Sequence, residues 1–289
     1  MKIRPGYEIA VDCPQPTPIV SLLEINPDRQ KDIVRQTRVL TSPTVPSRVY
    51  TDPHGNLCRR FVAPAGGIRV LYDAVVEDSG VPDEENVLAG DTPVEKLPDD
   101  VLRYLLGSRY CETDHLSQLA WSQFGNLPGG WARVQAIVDY VHNRLSFGYG
   151  YARCTRTAAQ AHEERVGVCR DFAHLAIALC RCMNIPARYV NGYMGDIGVA
   201  PDPAPMDFNA WFEAWLDGKW YTFDPRHNMR RIGRVVIARG RDATDVPLLH
   251  SFGPHTLTTF KVWTYEMTDE HAVPPPHATD RVYDARMLA

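Results

Sequence analysis

The feature that most constrains the fold is an uninterrupted helical pattern over residues 169–183. Apolar side chains recur there at spacings of three and four residues, which is the period of one face of an α-helix. They are Phe172, Leu175, Ala176, Leu179, Cys180 and Met183. The pattern ends at Asn184, shortly before Pro186, and on a helical wheel Cys169 leaves the first turn on the apolar side. The sequence therefore predicts a buried helix that presents a thiol from its amino terminus.

A β-hairpin is predicted further along the chain. Residues 207–216 alternate between two faces, as expected of a strand, and one face is wholly apolar. Asp217-Gly218 is a two-residue turn signal, so Leu216 is predicted to pair with Lys219 across the hairpin. The less apolar face of the first strand holds Asn209, Trp211, Glu213 and Trp215.

Together these elements predict that a thiol, an amide and a carboxylate converge. In the hairpin register Asn209 is the same-face diagonal neighbour of Asp224, about 7 to 8 Å away. The dipole and the free N–H groups at a helix start stabilise a thiolate, so we expect a lowered pKa for Cys169 and a role as nucleophile. Two plainer interpretations stay open. Cys169 could be a small packed core residue, and Asp224 a strand-end residue that serves the turn at Pro225.

The chain is predicted to be an α+β protein with three segments. Residues 1–84 show short alternating runs between turn clusters, which indicates a small β-rich N-terminal domain. Residues 85–267 contain the helical periodicities and the later strands, and are interpreted as the core. Residues 268–289, which include three consecutive prolines, are predicted to form a loose C-terminal tail.

Composition argues against several classes of partner and site. A formal net charge of -4 and a pI near 6.2 oppose nucleic-acid binding, which needs many Lys and Arg side chains against phosphates. No stretch approaches the roughly 18 apolar residues of a membrane span and no signal peptide is recognisable, so we expect a cytoplasmic protein without a membrane partner. The seven cysteines are scattered and form no paired CxxC motifs, which favours reduced thiols and argues against a metal site.

Three motifs, in order along the chain, resemble those of the transglutaminase-like superfamily of cysteine enzymes. They are Gly167–Leu175 around Cys169, then Asn209–Glu213, then Trp220–Pro225. The resemblance is firm over residues 145–225 and extends to about 265, while residues 1–84 resemble the β-rich region often fused to bacterial members. It implies a papain-like core in which a helix presents the nucleophile against an antiparallel sheet. The family's Cys, His and Asp roles would fall to Cys169, position 209 and Asp224.

The resemblance implies an enzyme that acts on peptide or glutamine-type amides. Its thiol would attack the carbonyl, form a thioester and pass the acyl group to water or an amine, so the sequence does not choose between hydrolysis and transamidation. Backbone N–H groups at the helix start would meet the oxyanion. This chemistry needs no metal or organic cofactor, although some family members use calcium. The expected partner is a peptide or protein substrate, and the sequence gives no oligomeric state.

Position 209 departs from the family pattern, because Asn209 stands where the family has histidine. An amide cannot take up a proton at neutral pH, and losing a positioned general base costs about 10² to 10⁴ in rate. One interpretation is a weakened or catalytically inactive site, in which the chain binds a peptide or a partner protein. Another is a relocated base, for which His227 is the candidate if the chain turns back after Asp224. In a third interpretation the cleft is closed and the β-rich domain does the binding.

Three other histidines are weaker candidates for the base. His174 projects about 140° away from Cys169 on the helical wheel, which makes it a poor substitute. His162 could approach from the preceding helix, and the sequence does not place His255.

Substrate binding is assigned to Trp211, Glu213 and Asp171. Each has a structural alternative, since a hairpin tryptophan can fill a core and the carboxylates can be exposed or structurally paired. A local excess of arginine could hold an acidic substrate, with a solvated strand face as the alternative. Its members are Arg226, Arg230, Arg231, Arg234, Arg239 and Arg241.

Overall fold

The structure, a computed structural model, describes residues 1–267 of the 289-residue chain. Its first part contains seven strands: β1 (Lys2–Asp12), β2 (Thr17–Ser21), β3 (Ile33–Gln36), β4 (Leu40–Ser42), β5 (Ser47–Thr51), β6 (Leu57–Ala63) and β7 (Ile68–Glu77). The middle contains the helices and two short strands: α1 (Asp99–Leu102), α2 (Thr113–Phe124), α3 (Trp131–Arg144), β8 (Ser146–Phe147), α4 (Ala158–Glu164), β9 (Val166–Gly167) and α5 (Cys169–Cys182). The remaining strands are β10 (Ala187–Tyr193), β11 (Phe208–Leu216), β12 (Lys219–Phe223), β13 (Val235–Gly240), β14 (Leu249–Ser251) and β15 (Thr256–Glu266). Short 3-10 turns cover Pro27–Asp32, Val94–Lys96 and Tyr149–Tyr151.

Helix α5 packs on a four-stranded antiparallel sheet of order β12-β11-β10-β13. The predicted helix is confirmed, and its apolar residues are buried because the sheet covers one face and other helices cover the rest. The hairpin register is confirmed too, since Leu216 pairs with Lys219 and Glu213 pairs with Thr222. This sheet and helix form the core, and Cys169 is the first residue of that helix.

The two faces of β11 contact different apolar clusters. Phe212, Ala214 and Leu216 belong to the large core that includes α5. Trp211 instead packs with Val190 and Val236 in a small separate cluster. The alternation in the sequence therefore separates a face toward α5 from a face that points away from it.

Two further sheets form a β-rich unit. Their orders are β15-β1-β7-β3, with β4 also on β7, and β14-β2-β6-β5. Strand β15 pairs with β1 along most of its length, and β14 pairs with β2. The predicted division at residues 84 and 85 stays a prediction, but the sheets join two strands beyond residue 248 to the N-terminal ones. The predicted tail at 268–289 lies outside the described residues.

Hydrogen bonds connect the β-rich unit to the core sheet. The Asn26 N–H donates to the Val236 carbonyl at 2.9 Å, and the Tyr193 hydroxyl donates to the Leu23 carbonyl at 3.0 Å. Buried residues of both parts belong to one continuous apolar cluster. The core strands and the β-rich unit therefore share one interior.

Within residues 1–267 no helix combines the length and the apolar character needed to cross a membrane.

Candidate active site

Cys169 is the first residue of α5 and lies in the wall of a cleft of about 320 Å³. Its side chain is partly exposed to that cleft. Among the residues described, the amides of Cys169 and Arg170 donate no hydrogen bond, because the first turn of a helix has no partner for them. Two backbone donors thus stand beside the thiol, where they can meet a developing oxyanion.

The cleft lies where the core meets the end of the β-rich unit. Strands β10 and β11 supply one wall, and β14, β15 and the segment before β14 supply the other. Its aromatic lining consists of Tyr110, Tyr149, Tyr189, Phe208 and Phe260. Its polar lining consists of Cys169, Arg170, Asn191, Asp207, Asn209, Thr244 and His250. An apolar cavity with a few polar groups beside one thiol is the usual form of a small binding site.

The electrostatics of Cys169 differ from the prediction. Burial raises the pKa of its thiol to about 11, and the Asp207 carboxylate raises it further. The Arg226 guanidinium and the Ala210 N–H act in the opposite direction. The predicted lowering of this pKa is wrong, because burial, the largest influence on the thiol, outweighs Arg226 and the Ala210 N–H, which favour the thiolate. The thiol is therefore protonated at neutral pH in the free protein.

Asn209 lines the cleft, and its side chain is fully engaged with neighbours. Its Nδ2 donates to the carbonyls of Asp207 at 3.1 Å and Met194 at 3.4 Å. Its Oδ1 accepts a hydrogen bond from the Arg226 guanidinium at 3.1 Å. Arg226 also stacks over the Phe147 ring, 3.7 Å from its centroid. Position 209 thus holds an arginine near the thiol and offers no proton acceptor.

Asp224 is buried at the end of β12 and organises the turn that follows. Its Oδ1 accepts the backbone N–H groups of Arg226 and His227, each at 3.1 Å. Its Oδ2 accepts from the His227 imidazole and from Arg234, each at 2.9 Å. Burial acts to raise the pKa of Asp224, but Arg234 and His227 hold it well below its usual range. The carboxylate therefore stays charged and fixes the loop that carries Arg226.

The turn after Asp224 brings His227 back to the carboxylate, but His227 is not among the described residues that line the cleft. Asp224 itself lines a second cavity of about 300 Å³, together with Trp131 and Phe223. Among residues 1–267, no histidine forms a hydrogen bond with the Cys169 sulfur. The role of His227 as a base stays a prediction.

The other predicted histidines have partners of their own. His174 is fully buried, and its Nε2 accepts the Ala243 N–H at 3.1 Å. His162 bonds to the Tyr140 hydroxyl at 2.7 Å, and His255 bonds to the Ser251 hydroxyl at 2.6 Å. None of the three is among the described residues that line the cleft with Cys169.

Sequence reasoning missed His250, an exposed imidazole on β14 that lines the same cleft as Cys169. No local signal could identify it, because its position depends on β14 pairing with β2 more than 200 residues earlier in the chain. The aromatic wall residue Phe260 was missed for the same reason, since it lies on β15.

The three predicted substrate-binding residues lie outside the described lining of the cleft. Trp211 is fully buried on the face away from α5. Glu213 forms ion pairs with Arg188 at 2.6 Å and Arg239 at 3.1 Å. Asp171 accepts from the Val168 N–H at 2.9 Å and pairs with Arg156 at 3.1 Å. Their observed contacts are structural ones, and their role toward a substrate stays a prediction.

The arginine excess after β12 is engaged by other protein groups, and three of its members contact Asp83. Arg226 contacts Asn209, while Arg230, Arg231 and Arg234 contact carboxylates or carbonyls near Asp83 and Asp196. Arg239 and Arg241 pair with Glu213 and Asp245. The described part of the chain shows no cluster of three His, Cys, Asp or Glu side chains that could hold a metal ion.

The burial of His174 predicts a pH-dependent stability. Burial lowers its pKa below the ordinary value of 6.5, so below that pH the unfolded chain gains a proton that the folded chain does not. The free energy of unfolding should therefore fall as pH falls, by about 2 kcal/mol between pH 6.5 and 5. His174→Gln should remove that loss in urea unfolding, whereas changing the exposed His115 to Gln should not. Parallel pH profiles for wild type and His174→Gln would contradict this.

Comparisons with known proteins identify the family. A model of the transglutaminase-like superfamily matches residues 118–225. A solved structure from Cytophaga hutchinsonii, described as a candidate cysteine protease, is 30% identical in sequence with a TM-score of 0.80. The alignment covers 100% of this chain and 96% of that one. The chain belongs to the transglutaminase-like superfamily. The predicted α+β fold with a transglutaminase-like core is therefore confirmed.

Curated relatives of this superfamily member are uncharacterised mycobacterial proteins. A Mycobacterium leprae protein is 32% identical over 116 residues, which are 39% of this chain and 41% of that protein. A Mycobacterium bovis protein is 38% identical over 99 residues, which are 29% of this chain and 30% of that protein. The matches span less than half the length of these relatives, so they bear on the shared segment alone.

Proposed function

We propose that this chain is a cysteine enzyme that acts on amide bonds of peptide or protein substrates. The observation that carries the proposal is the position of Cys169, which opens α5 in a cleft wall beside two free backbone N–H groups. The sulfur would attack the amide carbonyl carbon, and the oxygen would be met by those donors. The C–N bond then breaks, the thiol proton leaves with the amine, and the thioester passes its acyl group to water or another amine.

The Asn209–Arg226 pair would take the place of the family's histidine in part. Arg226 is a permanent cation, so it favours the thiolate, but it cannot accept a proton. We expect a slow enzyme at neutral pH whose rate rises toward the raised pKa of Cys169. Arg226 would stabilise the negative charge of the Cys169 thiolate. It would not supply the proton transfer that the family's histidine provides.

Removing the Arg226 charge tests this role. Arg226→Gln should raise the pKa of Cys169 further and slow its alkylation at pH 8 to 9 by about three- to tenfold, because a smaller fraction of the sulfur is then thiolate. Arg226→Lys should lose less of the rate, since it keeps the charge. The measurement is the rate of iodoacetamide addition to Cys169, read by peptide mass spectrometry against pH. An unchanged profile in Arg226→Gln would show that the guanidinium does not act on the thiol.

A peptide-binding protein without catalysis is the second candidate, and two observations favour it. The Oδ1 atom of Asn209 is occupied by Arg226, and the thiol is protonated at neutral pH. Such a protein would use the same cleft to hold an extended segment. The third possibility, binding by the β-rich domain alone, has no comparable support, because the cleft is present and β14 and β15 form part of it.

An acylation experiment separates enzyme from binder. The full chain is incubated with glutamine-containing peptides and a labelled amine at pH 7 to 9, and intact mass reports any acyl adduct. The enzyme proposal predicts an adduct on Cys169, with slow product release that Cys169→Ala abolishes. Peptide binding that persists in Cys169→Ala, with no adduct or product from wild type, would support the binder instead.

Location in the cytoplasm is part of the same proposal. All seven cysteines are free thiols, two of them partly exposed, which suits a reducing compartment.

A further inference from the structure

Arg156 is a buried guanidinium that binds groups on both sides of it. It lies just before α4, and its side chain is only 5% exposed. Its Nε donates to the Glu164 carboxylate at 3.0 Å, and its Nη1 donates to the Asp171 carboxylate at 3.1 Å and to the Tyr151 carbonyl at 2.5 Å. Arg156 is not among the described residues that line the cleft. It can therefore act on the chemistry of the cleft only through the groups that it binds.

The first of these groups is the turn that opens α5. The Asp171 Oδ2 that accepts from Arg156 also accepts the Val168 N–H at 2.9 Å, and the Asp171 amide donates back to the Val168 carbonyl at 2.8 Å. Val168, Cys169 and Arg170 all line the cleft, and the free amides are those of Cys169 and Arg170. Reciprocal bonds of this kind cap the start of a helix. Arg156 therefore holds, through Asp171, the turn that presents the two amides.

The second group is the chain segment 149–153, which supplies another part of the cleft wall. Two residues of this segment line the cleft, and the Tyr151 carbonyl between them accepts from Arg156. Arg170 holds the same segment, because its Nη2 donates to the Arg153 carbonyl at 2.5 Å. Arg156 thus joins segment 149–153 to the α5 turn by direct hydrogen bonds to both.

A connection at this turn matters because of what oxyanion donors require. The ends of helices fray, and the first amides of a helix have no partner within it. Backbone donors stabilise an oxyanion only when they are already aimed at it, and a displacement of about 1 Å can cost about 10²-fold in rate. A planar guanidinium suits this task, since its donors leave in fixed directions.

We propose that Arg156 is a positioning residue for acyl transfer at Cys169, which holds the free amides of the α5 turn in place against segment 149–153. The proposal rests on the proposed function and adds the residue that prepares its oxyanion site. Loss of Arg156 should therefore slow a reaction that forms an oxyanion more than a reaction that forms none.

Two reagents that attack the same sulfur separate these reactions. With p-nitrophenyl acetate the thiolate adds to the ester carbonyl, an oxyanion forms, and p-nitrophenolate leaves to give a thioester. Iodoacetamide alkylates the thiolate in one displacement, with loss of iodide and without an oxyanion. The rate of each reaction at Cys169 is measured at one pH by mass spectrometry of peptides from an acidic digest. Because both reagents need the thiolate, the ratio of acylation to alkylation cancels a change in the thiolate fraction.

Variants assign that ratio to Arg156. Arg156→Met should lower the ratio about tenfold, because the amides lose their fixed place. Arg156→Lys keeps a positive charge against Asp171 and should lower it about threefold, since one ammonium nitrogen cannot replace the guanidinium fork. The matched control is Arg59→Met, which removes a guanidinium paired with Glu24 at 2.8 Å in the β-rich unit and should keep the wild-type ratio.

A wild-type ratio in both Arg156 variants would overturn the proposal, even if the two rates had fallen together, because that pattern marks a merely structural role. An equal fall of the ratio in Arg59→Met would overturn it as well. If Arg156→Met does not fold, the ratio in Arg156→Lys decides. Neither reagent requires amide cleavage. A lowered ratio together with no acyl adduct from glutamine peptides would therefore remove the enzyme proposal and leave Arg156 as the residue that positions the α5 amides.

Discussion

Replacing Asn209 with histidine is expected to raise the rate of acyl transfer at Cys169 by about 10² to 10⁴-fold at neutral pH. The side chain at position 209 lines the same cleft as the thiol, and an imidazole there could accept the proton that Asn209 cannot. The imidazolium so formed would also add a second positive charge next to the thiolate. The gain should be largest near pH 7, where the wild-type thiol is protonated.

The size of that rate gain depends on the contacts of Arg226 and Asp224 around position 209. Arg226 would lose its acceptor on Asn209, and the Asp224 carboxylate already receives four donors. We therefore expect the gain in Asn209→His to increase when His227→Gln weakens the competing contact to Asp224. The rates of Asn209→His, with and without His227→Gln, are measured at pH 7 with a glutamine peptide and with iodoacetamide.

Controls identify the imidazole as the cause. Asn209→Gln changes the size without adding a base and should stay near wild type, and Cys169→Ala in the Asn209→His background should be inactive. If Asn209→His reacts no faster than Asn209→Gln, position 209 does not act on the thiol, and the proposal that the Asn209–Arg226 pair takes the place of the family's histidine is contradicted.

Replacing Asp224 with alanine is expected to lower the free energy of unfolding by about 3 to 5 kcal/mol. Arg234 and Asp224 form an ion pair in which the side chains are 6% and 2% exposed, and the change leaves Asp83 as the remaining carboxylate partner of the buried guanidinium. The backbone N–H groups of Arg226 and His227 lose their acceptor as well. The loop should loosen and Arg226 should leave its place on Asn209.

Urea unfolding measures the effect, with Glu85→Ala as the matched control. Glu85 forms an exposed pair with Arg230 on the same side of the molecule, and such pairs contribute about 1 kcal/mol or less. Equal losses in the two variants would mean that the desolvation cost of the Asp224–Arg234 pair cancels its attraction.

The parts of the fold that could be predicted from sequence are those set by local patterns. Helix α5 follows from the apolar spacing that begins at Phe172, and the hairpin register follows from Asp217-Gly218. Both depend on neighbours within about twenty residues. The family motifs lie on these same elements, which is why the family and the core could be predicted together.

What could not be predicted depends on distant pairing and on burial. The opposite cleft wall comes from β14 and β15, which pair with β2 and β1 at the other end of the chain. Periodicity carries no information about such a contact. The direction of the Cys169 pKa was missed because a helix terminus favours the thiolate, whereas the walls that exclude water are supplied by those distant strands.

The position of Phe260 on β15 has a consequence for biosynthesis. A polypeptide emerging from the ribosome presents Cys169 well before it can complete the cleft around that sulfur, because β15 ends at Glu266, 97 residues later in the chain. At typical translation speeds this interval lasts on the order of 5 to 20 seconds. During it the nascent thiol is unshielded, because the cleft around Cys169 is complete only after β15 has paired with β1, the first strand of the chain.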